Sequence, residues 1–270
     1  MSATEGPNIA TVRIRTVANG AISERQDSLA VEEPLEILLG ERNVSITMRT
    51  PGNDEELAAG FLFTEGILRD RAQVADISIT GENQLTVSLT EQAGVDLSRL
   101  ERHFYMSSSC GVCGKASIQA LETVGCPTLA KDRPVIDASL IHRLPEMLRS
   151  SQQVFDHTGG LHAAALFDSG GQLLAVREDV GRHNAVDKLI GSRFRSGGLP
   201  LDDHLILLSG RASFELVQKA LMAAVPVLIA VGAPSSLAVE MAQRFGMTLI
   251  GFAREQRFNV YSGEWRLRSS

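Results

Sequence analysis

The chain has 270 residues, enough for one large domain or two smaller ones, and its 44% hydrophobic and 21% charged content is that of an ordinary globular protein. A formal net charge of -6 argues against general nucleic-acid binding, although a local arginine cluster can still hold an anionic ligand. Apolar runs such as 221–233 are too short for a bilayer and contain Pro226, and residues 1–8 lack a basic-then-apolar leader. Three cysteines make a poor disulfide framework, so the expectation is a cytoplasmic protein, off the membrane, with reduced thiols.

In chain order, residues 1–28 begin as a tail with one alternating run at 11–17. Residues 35–39 and 43–50 read as strands about a Gly40-Glu41 turn. Asn53 is placed to cap a helix running to Leu68, with Glu56 as its capping-box partner. Residues 74–80 and 84–89 form a predicted hairpin about Gly81-Glu82-Asn83. An irregular stretch, 90–109, then leads to Cys110-Gly111-Val112-Cys113, with a short helix expected at 115–124.

After Cys126-Pro127 the pattern changes. Asp137 can cap a helix to Ser150, and 162–168 with 172–178 make a hairpin about Ser169-Gly170-Gly171. Helices near 182–194, 213–225 and 235–245 then alternate with apolar strands at 204–208, 227–231 and 248–252. Such alternation implies a partly parallel sheet covered by helices on both faces. The expected architecture is therefore α/β: a smaller β-rich α+β N-terminal domain (1–130) before a three-layer, mixed-sheet domain (131–270).

Cys110 and Cys113 narrow the chemistry most. A structural zinc site needs four ligands, and Cys126 is the only further sulfur, with His103 at an unfamiliar spacing. A thioredoxin-like exchanger carries its pair after the first strand of a small βαβ unit, whereas this pair follows an irregular mid-chain stretch. The third use is sulfur carriage, in which a thiolate holds sulfur as a persulfide and a second thiol discharges it. Lys115 and the helix start after Gly114 would favour the thiolate for either role. Residue chemistry alone leaves disulfide exchange and sulfur carriage open.

In doubly covered sheets, ligands lie beyond the carboxyl ends of the strands. Those ends read Ser209-Gly210-Arg211, Gly232-Ala233-Pro234 and Ala253-Arg254-Glu255, a small-residue and arginine mix that suits phosphate. Gly181-Arg182-His183-Asn184 opens a helix, where backbone N–H groups and Arg182 would suit a phosphate or purine edge. The plainer account is a charged loop before an amphipathic helix. A single histidine such as His162 reads by default as structural.

The ordered set of segments resembles the formate dehydrogenase accessory sulfurtransferases, the FdhD family. It comprises Glu33-Pro34-Leu35, residues 50–66, Ser109 to Gly114, Thr158-Gly159-Gly160-Leu161-His162, residues 178–188, Ser209 to Glu215, and residues 251–261. The resemblance implies a homodimer of cytidine-deaminase-like fold. It implies a carrier that takes sulfur from a cysteine desulfurase as a cysteine persulfide. The acceptor it implies is a molybdenum (or tungsten) bis(molybdopterin guanine dinucleotide) cofactor, before that cofactor enters the catalytic subunit of formate dehydrogenase. By the same resemblance Cys110 is the persulfide carrier, Cys113 its partner, and Phe252, Ala253, Arg254, Glu255, Gln256 and Arg257 bind the cofactor, for which GDP is the expected mimic. Ser209, Gly210 and Arg211 join that site by their strand-end position. The His-x-Glu and Pro-Cys-x-x-Cys ligands of a zinc deaminase are replaced by Arg182-His183-Asn184-Ala185 and Gly210-Arg211-Ala212-Ser213, so deamination by a bound zinc hydroxide is excluded and no resident metal is expected.

Overall fold

The computed structural model describes residues 8–95 and 126–268; Cys110, Cys113 and the expected helix at 115–124 lie outside them. Where a tail was expected, strands β1 (Ile9–Ala18) and β2 (Ala21–Ala30) form an antiparallel hairpin. Its turn is Asn19-Gly20, with φ of 51° and 81°, and such positive-φ pairs match the twist of the flanking strands. The alternation in the sequence marks only β1, because β2 reads Ala-Ile-Ser-Glu-Arg-Gln-Asp-Ser-Leu-Ala and is too polar to alternate visibly.

Strands β3 (Glu33–Leu39), β4 (Arg42–Arg49), β5 (Val74–Gly81) and β6 (Gln84–Leu89) form one sheet in the order β4-β3-β6-β5, with β3 and β6 parallel. Leu35, Ile37 and Leu39 alternate onto its buried face and share a core cluster with Leu57 and Leu62 of helix α1 (Asp54–Thr64). Asn53 occupies the N-cap position of α1 as expected, but without the expected side-chain cap. It sits in the left-handed region (φ 57°), and Glu56 instead holds Arg177 at 2.7 Å. The acidic first turn, Asp54-Glu55-Glu56, offsets the positive end of the helix dipole. The helix also stops at Thr64, short of Leu68. Gly66 (φ 72°) turns the chain, and the Ile67 and Leu68 amides both donate to the Leu62 carbonyl.

The remaining elements are β7 (Ile136–Asp137), α2 (Ala138–Arg149), α3 (Gln153–Thr158), β8 (His162–Asp168), β9 (Leu173–Asp179) and α4 (Arg182–Ser196). They continue with β10 (His204–Leu208), α5 (Phe214–Met222), β11 (Val227–Ala230), α6 (Ser236–Phe245), β12 (Thr248–Gly251), β13 (Asn259–Ser262) and β14 (Leu267–Arg268). The main sheet runs β13-β12-β11-β10-β8-β9, parallel across β10, β11 and β12 and antiparallel elsewhere. Asp137 caps α2 as expected, accepting from the Ser139 amide at 2.8 Å.

Alternate residues of β10 serve opposite faces. Ile206 and Leu208 share a cluster with Leu189 of α4, Val217 of α5 and Met241 of α6, while Leu205 and Leu207 share another with Ile141 and Leu144 of α2. Each such side chain, fully buried, contributes about 2 kcal/mol of burial free energy. The result is a mixed α/β protein with several mixed sheets, its main sheet covered on both faces. The first of those clusters also contains Leu35, Leu57 and Leu85, so apolar packing runs from the N-terminal sheet into the main sheet without interruption.

Candidate functional site

Strands β9 to β12 end at one edge of the main sheet, and β8, running antiparallel, begins there. A cleft of about 880 Å³ opens along this edge. One wall is the sheet edge itself: His162, Ser209, Val231, Ala253 and the segment Arg254-Glu255-Gln256-Arg257. The other is the end of α2 with α3, including Glu146, Arg149, Gln152, Phe155 and the Gly159-Gly160 turn. The structure therefore brings together six of the residues predicted from sequence: Ser209, Ala253, Arg254, Glu255, Gln256 and Arg257.

The arginine-bearing segment is fixed by its own backbone. Phe252 takes φ 53°, and its amide donates to the Gly232 carbonyl at 3.0 Å. The Ala253 amide donates to Ala230 at 3.1 Å, and the Arg254 amide to the Arg257 carbonyl at 2.9 Å, closing a tight turn. His142 of α2 braces it, with Nδ1 3.2 Å from the Arg254 carbonyl and its ring 5.1 Å from that of Phe258. Arg254 and Arg257 leave this anchored turn with exposed side chains, free to turn toward an anion.

Ser209 stitches β8 to β10. Its Oγ accepts from the Ala163 amide at 2.8 Å and its amide donates to the Ala163 carbonyl at 2.9 Å. Gly210 backs onto His162, where a Cβ would lie 3.3 Å from Nδ1. Arg211 is exposed and packs beside Gly232 rather than in the cleft lining, and Phe252 is half-buried just behind it. His162 is held below its ordinary pKa, first by burial and then by the charges of Arg182 and His183, with Asp179 opposing them. It is therefore a neutral imidazole at neutral pH, able to donate at one nitrogen and accept at the other.

The charged stretch 178–188 turns mostly inward. Glu178 accepts from the Val154 and Phe155 amides at 3.1 and 3.0 Å, capping α3. Asn184 donates to Met48 and Asp179, and Lys188 is buried against Asp179 at 2.7 Å and the Thr50 carbonyl at 2.8 Å. Of the four residues at this helix start, Arg182 points to solvent. Cys126 is pushed up to about 12 by burial, so this thiol stays protonated and is a poor nucleophile. Among the described residues no three His, Cys, Asp or Glu side chains converge as metal ligands, and no helix is long and apolar enough to cross a membrane.

The α3 part of this wall is not visible in the sequence, although the α2 part is. Helix α3 is six residues long, too short for periodicity to reveal, so Gln152 and Phe155 carry no signal of their own. His162 has a signal in hindsight: it opens a strand immediately after Gly159-Gly160, at the edge where its neighbours end.

Comparison with known proteins places the chain in a family. The chain is 52% identical over 266 residues to the sulfur carrier protein FdhD of Streptomyces avermitilis, covering 95% of this chain and 93% of that one. It is 44% identical over 259 residues to the sulfur carrier protein FdhD of Sulfolobus acidocaldarius, covering 96% and 98%. The fold matches the crystal structure of a protein from Desulfotalea psychrophila, described as a candidate formate dehydrogenase accessory protein, with a TM-score of 0.78 and 25% identity over 97% of this chain and all of that one. The FdhD/NarQ family model matches residues 30–268, from the end of the first hairpin to the last described strand, and the chain belongs to that family.

Proposed function

We propose that this protein is a sulfurtransferase, a sulfur carrier required for formate dehydrogenase activity. The observation that carries the reading is the strand-edge cleft, which joins an anchored arginine pair to Ser209 in a chain whose relatives are named sulfur carriers. In this reading the Cys110 thiolate attacks the outer sulfur of a cysteine desulfurase persulfide. The donor S–S bond breaks, the desulfurase cysteine leaves as a thiolate, and Cys110 holds the sulfur as a persulfide. Attack of the Cys113 thiolate on Cys110 Sγ then forms a disulfide and releases the outer sulfur, reduced by two electrons, as sulfide. That sulfide is delivered to the molybdenum or tungsten of the bis(molybdopterin guanine dinucleotide) substrate, and a dithiol reductant restores both thiols.

The labour divides between residues 1–130, which carry the thiols, and residues 131–270, proposed as a cytidine-deaminase-like domain that holds the cofactor. Arg254 and Arg257 suit the diphosphate of a guanine-nucleotide end, because guanidinium forks pair with phosphate oxygens at two points. The neutral His162 adds a hydrogen-bonding group deeper along the same edge without repelling a cationic neighbour. The charged cofactor then leaves for the catalytic subunit of formate dehydrogenase, and the carrier acts as a cytoplasmic homodimer.

The test is sulfur loading. Incubated with a cysteine desulfurase and cysteine, the protein should gain one labile sulfur, read by mass spectrometry of the intact chain. Cys110→Ala should gain none, and serine at both thiol positions should fail to restore formate dehydrogenase activity in a host lacking the carrier. Loading of Cys110→Ala equal to wild type would falsify the assignment.

A further inference from the structure

Gln152 lies between α2 and α3, is only 4% exposed, and lines the cleft. Its Nε2 is buried without any hydrogen-bond partner. A buried amide donor left unpaired costs free energy, and the large majority of such groups in folded proteins have a partner, so this one calls for an explanation. Pro145, Leu148 and Phe155 give this wall an apolar part beside the charged Glu146 and Arg149. Phe155 lines the cleft, and the Arg149 guanidinium stacks 4.8 Å above its ring. Arg254 and Arg257 line the opposite side of the cleft.

We infer that Gln152 is a specificity-determining residue that reads the base of a bound purine nucleoside diphosphate. In this arrangement the base lies against the Phe155 wall, and the diphosphate runs along the Arg254 to Arg257 turn. The inference rests on the cleft being the nucleotide site of the proposed function and adds the orientation of the nucleotide within it. The terminal torsion of a glutamine is soft, so the side chain can turn its donor to the carbonyl and ring-nitrogen edge of guanine. A site built around such a hydrogen bond rejects ligands that lack a matching edge more strongly than an apolar pocket would.

The experiment compares the full-length wild type with Gln152→Met by calorimetric titration with GDP, ADP and inorganic pyrophosphate, alongside thermal unfolding of the free proteins. Methionine keeps the length of the side chain and removes the amide. GDP affinity should fall about tenfold, the size of one buried hydrogen bond, and the preference for GDP over ADP should shrink. Pyrophosphate affinity should be unchanged, and the melting temperature of the free variant unchanged or higher, because an unpaired buried amide has gone. Equal GDP affinity in the two proteins overturns the inference, as does an equal loss for GDP and pyrophosphate, which marks a wall merely loosened. Arg257→Ala separates the two levels. Should wild type bind neither GDP nor pyrophosphate, the nucleotide reading of the cleft fails and the base-reading role goes with it. Should wild type bind both and Arg257→Ala weaken both, while Gln152→Met leaves GDP untouched, only the role of Gln152 is lost.

Discussion

Gly60 of α1 and Gly191 of α4 meet backbone to backbone. A Cβ on Gly60 would lie 1.8 Å from the Asp187 carbonyl oxygen, and one on Gly191 would lie 1.8 Å from that of Glu56. Neither clash falls on a side chain that could swing aside. The two glycines let the helix of the N-terminal sheet rest directly on the helix that follows β9, and so fix the two halves of the chain relative to the cleft.

Gly191→Ala, or Gly60→Ala, should therefore be costly even though alanine favours helix. The helices must separate, at a cost of about 3 kcal/mol or more for overpacking at a backbone contact. Urea unfolding monitored by circular dichroism measures it. A change within experimental error of wild type would show that the crossing is looser than the geometry indicates.

A buried charge cluster locks the same junction. Lys219 of α5 places Nζ 2.9 Å from Asp187, 3.0 Å from Glu65 and 3.0 Å from the Thr64 hydroxyl, and that hydroxyl donates to Asp187 at 2.7 Å. Burial works to lower the pKa of Lys219, but the charges of Asp187 and Glu65 more than reverse it. Lys219→Met should cost about 3–5 kcal/mol, most of it from an unpaired Asp187. The lone carboxylate would take up a proton more readily when folded than when unfolded, so the variant should gain stability as pH falls. Adding Asp187→Leu should restore part of the loss and abolish that pH dependence, which a series of unfolding curves would read directly.

Arg266 shows how a single side chain can close the fold. It is fully buried and donates to the carbonyls of Arg133 (3.0 Å), Gly246 (2.7 Å) and Ala130, and to Thr248 Oγ1 (3.1 Å). Burial holds its pKa below the usual arginine range, yet the group stays charged at any physiological pH. Arg266→Leu would leave several acceptors unpaired in the interior, at roughly 3 kcal/mol or more. Arg266→Lys should recover little, because an ammonium cannot span the same carbonyls. Denaturant midpoints of both variants check this.

What the sequence revealed follows physical signal strength. The strands 204–208, 227–231 and 248–252 are short apolar runs between amphipathic helices, and each appears where periodicity put it, within one residue. The strand-end rule pointed to Ser209 and to 253–255, because position at a sheet edge depends on topology more than on side-chain detail, whereas the extension to Gln256 and Arg257 as a cofactor segment came from the family resemblance. The first hairpin was hidden by the polarity of β2, although Asn19-Gly20 is a strong turn signal beside the alternating run. The inward turn of Asn184 and Lys188 was hidden for a different reason. Their partners, Met48 and Thr50, are remote in sequence, and no local pattern announces such pairs. The thiol pair lies outside the described residues, so its chemistry rests on motif and kinship.

His162 gives the sharpest pH test. Its pKa lies below 6.5 in the folded protein, chiefly through burial and then through Arg182 and His183. The unfolded chain takes up the proton near 6.5, whereas the folded chain does so only at lower pH. Between those two values the proton favours the unfolded state. The contribution is therefore fully present above 6.5 and is lost as pH falls through it toward the folded value. His162→Gln keeps a hydrogen-bonding side chain without a titrating ring, so it should flatten this part of the stability profile. A proton NMR titration of the ring should show a midpoint below 6.5 in wild type. A diphosphate bound beside the ring would favour the imidazolium, so the same titration repeated with saturating GDP should move the midpoint upward. By linkage, GDP affinity should then strengthen as the solution is acidified, and His162→Gln should lose that dependence while retaining binding. A midpoint at or above the ordinary histidine value in the free protein would mean that the ring is far more hydrated than its place in the cleft wall indicates.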